Sequence, residues 1–302
     1  MRKSILLVLV LMLSPVIAIN PAAEGGTGRD ARAGEILEQA RTALGGTALS
    51  DVQGMIMVGK YRRVISNQDQ SGETELRILL PDKFMRAETM TVVGSIEVTL
   101  IKALNGNQAW ADSSTNSAGG QVQLIRPQGS ASADAALARD LRADFARNLI
   151  SLLLEAPPSL SIEFSYVGTA NAGDAQTDVI DARGLNGFEA RVFLDKKTHL
   201  PLMLTYQGVA ARNAIASSSS GSGGDIKKMV EEVRKKSETA SRDQRESSVS
   251  VYFGDYRREG GILLPHRFTQ SINGKTVEEF EVTKVKINPK SLTAAKFEKG
   301  SK

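Results

Sequence analysis

Cysteine is absent from all 302 residues. That excludes disulfide scaffolds, cysteine-ligated zinc, iron–sulfur clusters and thiol catalysis. It also excludes a lipid anchor on an N-terminal cysteine, and it suits an oxidising compartment, where nothing can mispair. Only two histidines occur, which leaves little material for a histidine metal site or a catalytic triad. Aromatic residues make up 5%, with a single tryptophan, a poor stock for stacking on bases. The 38 basic and 34 acidic residues nearly cancel, to a formal charge of +4. That excess is too small and too evenly spread for a nucleic-acid partner.

Long apolar runs are also scarce, and the one that stands out is an address. Arg2 and Lys3 precede an apolar run from Ile5 to Leu13, Pro15 follows it, and Val16-Ile17-Ala18 offers a cleavage site. The run is shorter than the roughly 20 residues a spanning helix needs. Residues 1–18 therefore read as a signal peptide cleaved near Ala18, and the expected location is the periplasm. Residues 19–29 read as a flexible leader, 30–298 as one domain interrupted at 211–248, and 299–302 as a tail.

What remains is patterned. Asp30 reads as the cap of a helix over Ala31–Leu44, with Ala33, Ile36, Leu37, Ala40 and Leu44 on one face and Gly45-Gly46 closing it. From Val52 the period changes to two. Asn105-Gly106 and Asn273-Gly274 are hairpin signals, in which both central residues need positive φ. Residues 112–120 read as loop. A second helix is expected from about Ala133 to Glu155, with Leu137, Leu141, Phe145, Leu149 and Leu152 in one stripe and Pro157-Pro158 stopping it. Clean alternation follows through Ile162, Phe164 and Tyr166, through Phe188 to Leu194, and through Leu202, Leu204 and Tyr206. Phe280 and Val282 share one parity while Val285 and Ile287 have the other, so a bulge is expected near Thr283-Lys284. Half-buried strands joined by tight turns make an antiparallel sheet with one apolar face.

The interruption holds a Ser/Gly linker, Ala216–Gly224, and a charged stretch, Asp225–Glu246, with a narrow stripe of Ile226, Met229, Val230 and Val233. It reads as a solvated insertion; a lid or a surface-seeking amphipathic helix is the functional alternative.

The search for chemistry returns absences. There is no glycine-rich phosphate loop, no G-x-S-x-G and no H-E-x-x-H. His199 and His266 stand beside prolines and read as surface or turn residues. Glu73, Glu75, Glu88 and Glu97 fall on expected strands and read as solvent-face charge, though two placed carboxyls could in principle serve a hydrolase. No catalytic residue, metal or cofactor is expected.

Several motifs carry a resemblance. Helix, Gly45-Gly46, strands, Pro81-Asp82-Lys83-Phe84, Asn105-Gly106 and a mid-chain helix follow in that order. Phe188-Glu189-Ala190-Arg191-Val192-Phe193-Leu194-Asp195, Thr198-His199-Leu200-Pro201 and Asp255-Tyr256-Arg257-Arg258 with Gly260-Gly261-Ile262-Leu263-Leu264-Pro265 complete it. Together they resemble the outer-membrane lipoprotein-sorting, LolA/LolB-like family. The resemblance implies a mainly β fold with some α: an unclosed, strongly curved antiparallel barrel with helices covering its concave face. It further implies a non-enzymatic carrier for acyl chains of a lipid or lipoprotein. The expected partners are those chains and, with them, inner- and outer-membrane components, for a monomeric chain. The residues expected to line an apolar cavity are Phe145, Leu149 and Leu152 on the helix and Ile162, Phe164, Val192, Leu194, Leu202 and Leu204 on the sheet. Two alternatives stand beside this: a cell-envelope interaction module with a filled core, and a carboxylate-dependent hydrolase.

Overall fold

The computed structural model describes residues 19–21, 26–65, 68–91, 97–117, 120–123, 131–172, 174–208 and 247–300. The expected signal peptide and nearly all of the insertion lie outside the described residues. Helix α1 (Gly26–Leu44) begins earlier than its sequence pattern suggests, and Asp30 sits inside it. Its apolar residues Ala33, Ile36, Ala40 and Leu44 are at most 1% exposed. Gly46, at φ 56°, turns the chain out of the helix and donates to the Arg41 carbonyl at 3.0 Å, a closure that glycine adopts without steric cost. A one-turn helix, α2 (Thr47–Ser50), follows.

Among the described residues fourteen strands form one sheet: β1 (Ile19–Pro21), β2 (Gly54–Ile65), β3 (Gln68–Leu79), β4 (Lys83–Thr91), β5 (Glu97–Asn105), β6 (Gln108–Ser117), β7 (Gly120–Gln123), β8 (Glu163–Ala172), β9 (Ala175–Gly184), β10 (Phe188–Asp195), β11 (Pro201–Gly208), β12 (Ser247–Glu259), β13 (Ile262–Ile272) and β14 (Lys275–Ile287). Their spatial order is β1-β8-β9-β10-β11-β12-β13-β14-β2-β3-β4-β5-β6-β7. Every pairing is antiparallel, and β1 and β7 remain as free edges, so the sheet is unclosed. The pairing of β14 with β2 joins the two ends of the chain into one surface.

Three details differ from the sequence reading. The segment from Asp112 to Ser117 is strand, not loop. Its Asp112 and Asn116 have low strand propensity and it lacks an apolar alternation, but register with Val98, Thr99 and Leu100 of β5 holds it extended. Ile19–Pro21 pairs with β8 instead of hanging free. The first hairpin turns on Gly106-Asn107, since Asn105 already pairs with Gln108, and only Gly106 has positive φ (61°). The second turn is as expected, with Asn273 at 49° and Gly274 at 80°, and the β14 register shifts between Val282 and Lys284.

Helix α3 (Ala131–Leu153) lies across the inner face of the sheet, close to β4, β5, β6, β10 and β11. Its C-terminal end is tied down. Leu154 has φ 52°, and its carbonyl accepts from Arg41 Nε at 3.1 Å and Arg41 Nη2 at 2.6 Å. Its middle is linked to the sheet more lightly, by Arg142 Nη2 donating to the Asn107 carbonyl at 3.2 Å. The main core is the space between α1, α3 and the inner face. A second, smaller core lies on the outer face, where the C-terminal turn Ala294–Phe297 lays Phe297 over Met85 and Ala103. The Trp110 indole N–H donates to the Phe297 carbonyl at 2.8 Å and fixes that turn.

Candidate functional site

Parity along each strand decides what faces inward. On β4, Phe84, Arg86, Glu88 and Met90 share a face; on β2, Met55, Met57, Tyr61 and Arg63 do so; on β14, Glu278, Phe280 and Val282. Phe84, Met57, Phe280 and Val282 belong to the main core. The charged residues between them are thereby carried onto the inner face. They meet in a closed ring of four. Arg63 donates to Glu88 from Nη2 at 2.9 Å and to Glu278 from Nε at 2.5 Å. Arg86 donates to Glu88 from Nε at 2.6 Å and to Glu278 from Nη2 at 3.0 Å. Arg63, Glu88 and Glu278 are 11–12% exposed, while Arg86 is 35% exposed.

Burial alone would raise the Glu88 carboxyl, but Arg86 and Arg63 outweigh it and hold its pKa at about 2. The same two carboxylates raise the Arg86 pKa against the effect of burial. Glu88 is therefore an ionised partner. A general acid needs a raised pKa, so Glu88 is unsuited to that role.

Beside the ring runs an arc of aromatic side chains. Phe253 and Phe268 meet edge-on at 5.7 Å, and Phe268 and Phe280 lie 5.7 Å apart. Phe280 is the cross-strand partner of Tyr61, and the Arg63 guanidinium sits 4.8 Å over the Tyr61 ring. Burial pushes the Tyr61 hydroxyl up to about 12. That hydroxyl, Thr74 Oγ1 and Gln70 Oε1 are buried without a hydrogen-bond partner among the described residues. Opposite, on α3, Arg147 pairs with Asp144 at 2.9 Å and lies 3.8 Å over the Tyr206 ring. Burial raises the Tyr206 pKa, although Arg147 opposes it.

The cover is incomplete. α3 packs chiefly on β4–β6 and β10–β11. Inward-facing Val98, Leu100, Val251 and Phe268 stay half-buried, and Lys102 is exposed. Of the nine residues expected to line a cavity, Phe145, Leu149, Leu152, Val192, Leu194 and Leu204 are buried in one packed cluster, with Ile162 and Phe164 against it. Leu202 is half-buried outside that cluster. A cleft of about 500 Å³ lies elsewhere, between the β5–β6 turn, the start of α3 and the C-terminal turn, lined by Asn105, Trp110, Asp134, Ala138, Phe297 and Lys299 among others. None of the nine lines it.

Two readings of single residues change. Glu88 is not solvent-face charge, because it shares the parity of Phe84 and Met90. His266 is buried within β13, not at the surface or in a turn: its Nδ1 lies 3.1 Å from the Leu264 carbonyl and its Nε2 3.3 Å from Glu259. No group of three or more potential ligands capable of holding a metal occurs among the described residues. None of their helices is long and apolar enough to cross a membrane.

No family model matches the sequence, and no curated protein does either. Solved structures do resemble it. One is a putative outer membrane lipoprotein-sorting protein domain from Vibrio parahaemolyticus, 9% identical, with TM-score 0.47 and coverage of 89% of this chain and 97% of that one. A second is a LolA superfamily protein from Nitrosomonas europaea, 10% identical, with TM-score 0.49 and coverage of 88% and 97%. A third is a DUF1329 family protein from Desulfovibrio piger, 11% identical, with TM-score 0.42 and coverage of 88% and 97%.

Proposed function

We propose that this chain is a periplasmic, non-enzymatic carrier that holds acyl chains of a lipid or lipoprotein on the inner face of its sheet. One observation carries the reading: an unclosed sheet presents inward apolar residues, Val98, Leu100, Val251 and Phe268, that its own helices leave half-buried. Water contact with such side chains is unfavourable by about 25 cal/mol per Å², and a hydrocarbon chain removes it.

The mechanism is passive. In the empty protein α3 fills the lower part of the concavity with Phe145, Leu149 and Leu152. An acyl chain enters over these half-buried residues and displaces the helix, which stays tied at Leu154 through Arg41. Val192, Leu194, Leu204, Ile162 and Phe164 then form the sheet side of the bound chain's surroundings. Burying each methylene contributes about 0.8 kcal/mol, so a long chain offsets the loss of helix packing.

The dense packing of those same residues favours a second reading, a cell-envelope interaction module with a filled core. Native mass spectrometry of protein purified without detergent, with extraction of bound lipid, separates the two. Bound acyl species, or uptake of a fluorescent fatty acid, support the carrier. A clean unliganded mass with no uptake supports the module.

A further inference from the structure

Among the described residues of the sheet's inner face, one cation stands outside the ring's charge balance. Lys102 of β5 is the cross-strand partner of Arg86 and points the same way. Like charges directly opposite on a sheet repel. It is exposed, and it has no ion pair or hydrogen bond among the described residues. Its other cross-strand neighbour is Ala111. Arg86 is the least buried member of the ring and opens to the same side. Across from it, on α3, Asp144 acts on Arg86 and is itself held by Arg147. Two carboxylates balance two guanidiniums in the ring, and Asp144 balances Arg147. Lys102 is left over, beside the half-buried apolar Leu100 and Val98 on its own strand.

We infer that Lys102, with the outer edge of Arg86, is the head-group site for an anionic amphiphile, a carboxylate or phosphate on a hydrocarbon tail. The inference rests on the carrier reading and narrows its ligand. The tail lies on Leu100 and Val98 of the same strand, and the anion meets the Lys102 ammonium on the inner face. The ring keeps Arg86 in place, so its remaining N–H groups are oriented before the ligand arrives. A neutral molecule with the same tail gains the apolar contacts but not the charge.

The test uses the full chain at pH 8 and low salt. Three ligands compete with a neutral fluorescent probe: decanoate, decyl phosphate and the uncharged isostere decanamide. At least one anion is expected to bind about fivefold tighter than the amide, the scale of one partly exposed ion pair. Raising the salt is expected to weaken the anions alone. Lys102→Gln is expected to remove the preference while leaving decanamide affinity unchanged, and Lys102→Glu to invert it. Lys102 is exposed, so neither change threatens folding. Which anion gains more distinguishes a carboxylate from a phosphate head. Equal binding of anion and amide, or a preference that survives Lys102→Gln, overturns the inference alone. No binding of any of the three overturns the carrier reading and this inference with it.

Discussion

Glu88 holds two guanidiniums on the inner face, and this makes stability depend on pH in a defined direction. Its carboxyl titrates near 2 in the folded chain against an ordinary value of 4.5. A depressed carboxylate stabilises fully above its unfolded value, and that contribution is lost as pH falls from 4.5 towards 2. The amount at stake is about 3 kcal/mol. Glu88→Gln leaves Arg63 and Arg86 sharing one carboxylate and should cost a similar amount at pH 7, about 3 kcal/mol. Urea unfolding at pH 7, 4.5, 3 and 2 should show a shallower acid decline in Glu88→Gln than in the wild type; parallel curves would place the acid sensitivity elsewhere. Tyr61 works the other way. Its hydroxyl is buried without a hydrogen-bond partner among the described residues, so Tyr61→Phe removes an unsatisfied group and keeps the ring in the aromatic arc. The expected change lies between zero and a gain of about 1 kcal/mol, read from the same unfolding midpoint. A loss above that size would reveal a partner for the hydroxyl.

At the scale of elements, the C-terminal turn is a small piece with a large share of the outer face. Phe297 is fully buried against Met85, Ala103 and Leu292. Truncating it to alanine should cost about 3–4 kcal/mol. Trp110, the single tryptophan, packs in the same cluster and donates to the Phe297 carbonyl. Its emission should shift to the red in Phe297→Ala before any global unfolding, and an unchanged spectrum would show that the turn is held by something else. The expected helix over Ala133–Glu155 corresponds to Ala131–Leu153, because a stripe at helical spacing and two prolines are local signals. Asp112–Ser117 went unrecognised because what makes it a strand is the ladder to β5, a long-range fact.

For the whole molecule, acyl uptake should depend on α3 leaving the sheet. Arg142 of α3 reaches Asn107 at the β5–β6 turn, and the chain has no cysteine of its own. Cysteines at positions 107 and 142 can therefore be joined by a short bifunctional thiol reagent without side products. Uptake of a fluorescent fatty acid should then fall about tenfold or more, in step with the lost population of the open state. The same variant left unjoined should bind normally. Undiminished uptake in the joined form would mean that ligands use the half-buried residues without moving the helix.

Apolar periodicity and turn residues by themselves determined most of the strands, the two long helices and the antiparallel class, because alternation, capping and turn conformation act within a few residues. They did not determine which parity of each strand faces inward. Glu88 and Arg86 lie between Phe84 and Met90 at spacings of two, and Glu278 precedes Phe280 by two; that spacing was the available signal. Only the pairing of β14 with β2, some 215 residues apart along the chain at Arg63 and Glu278, brings the four charges together. The fit of α3 against both β4–β6 and β10–β11 is likewise a tertiary fact, since the cost of each charge and the cover of each apolar residue are set by neighbours that sequence separation hides.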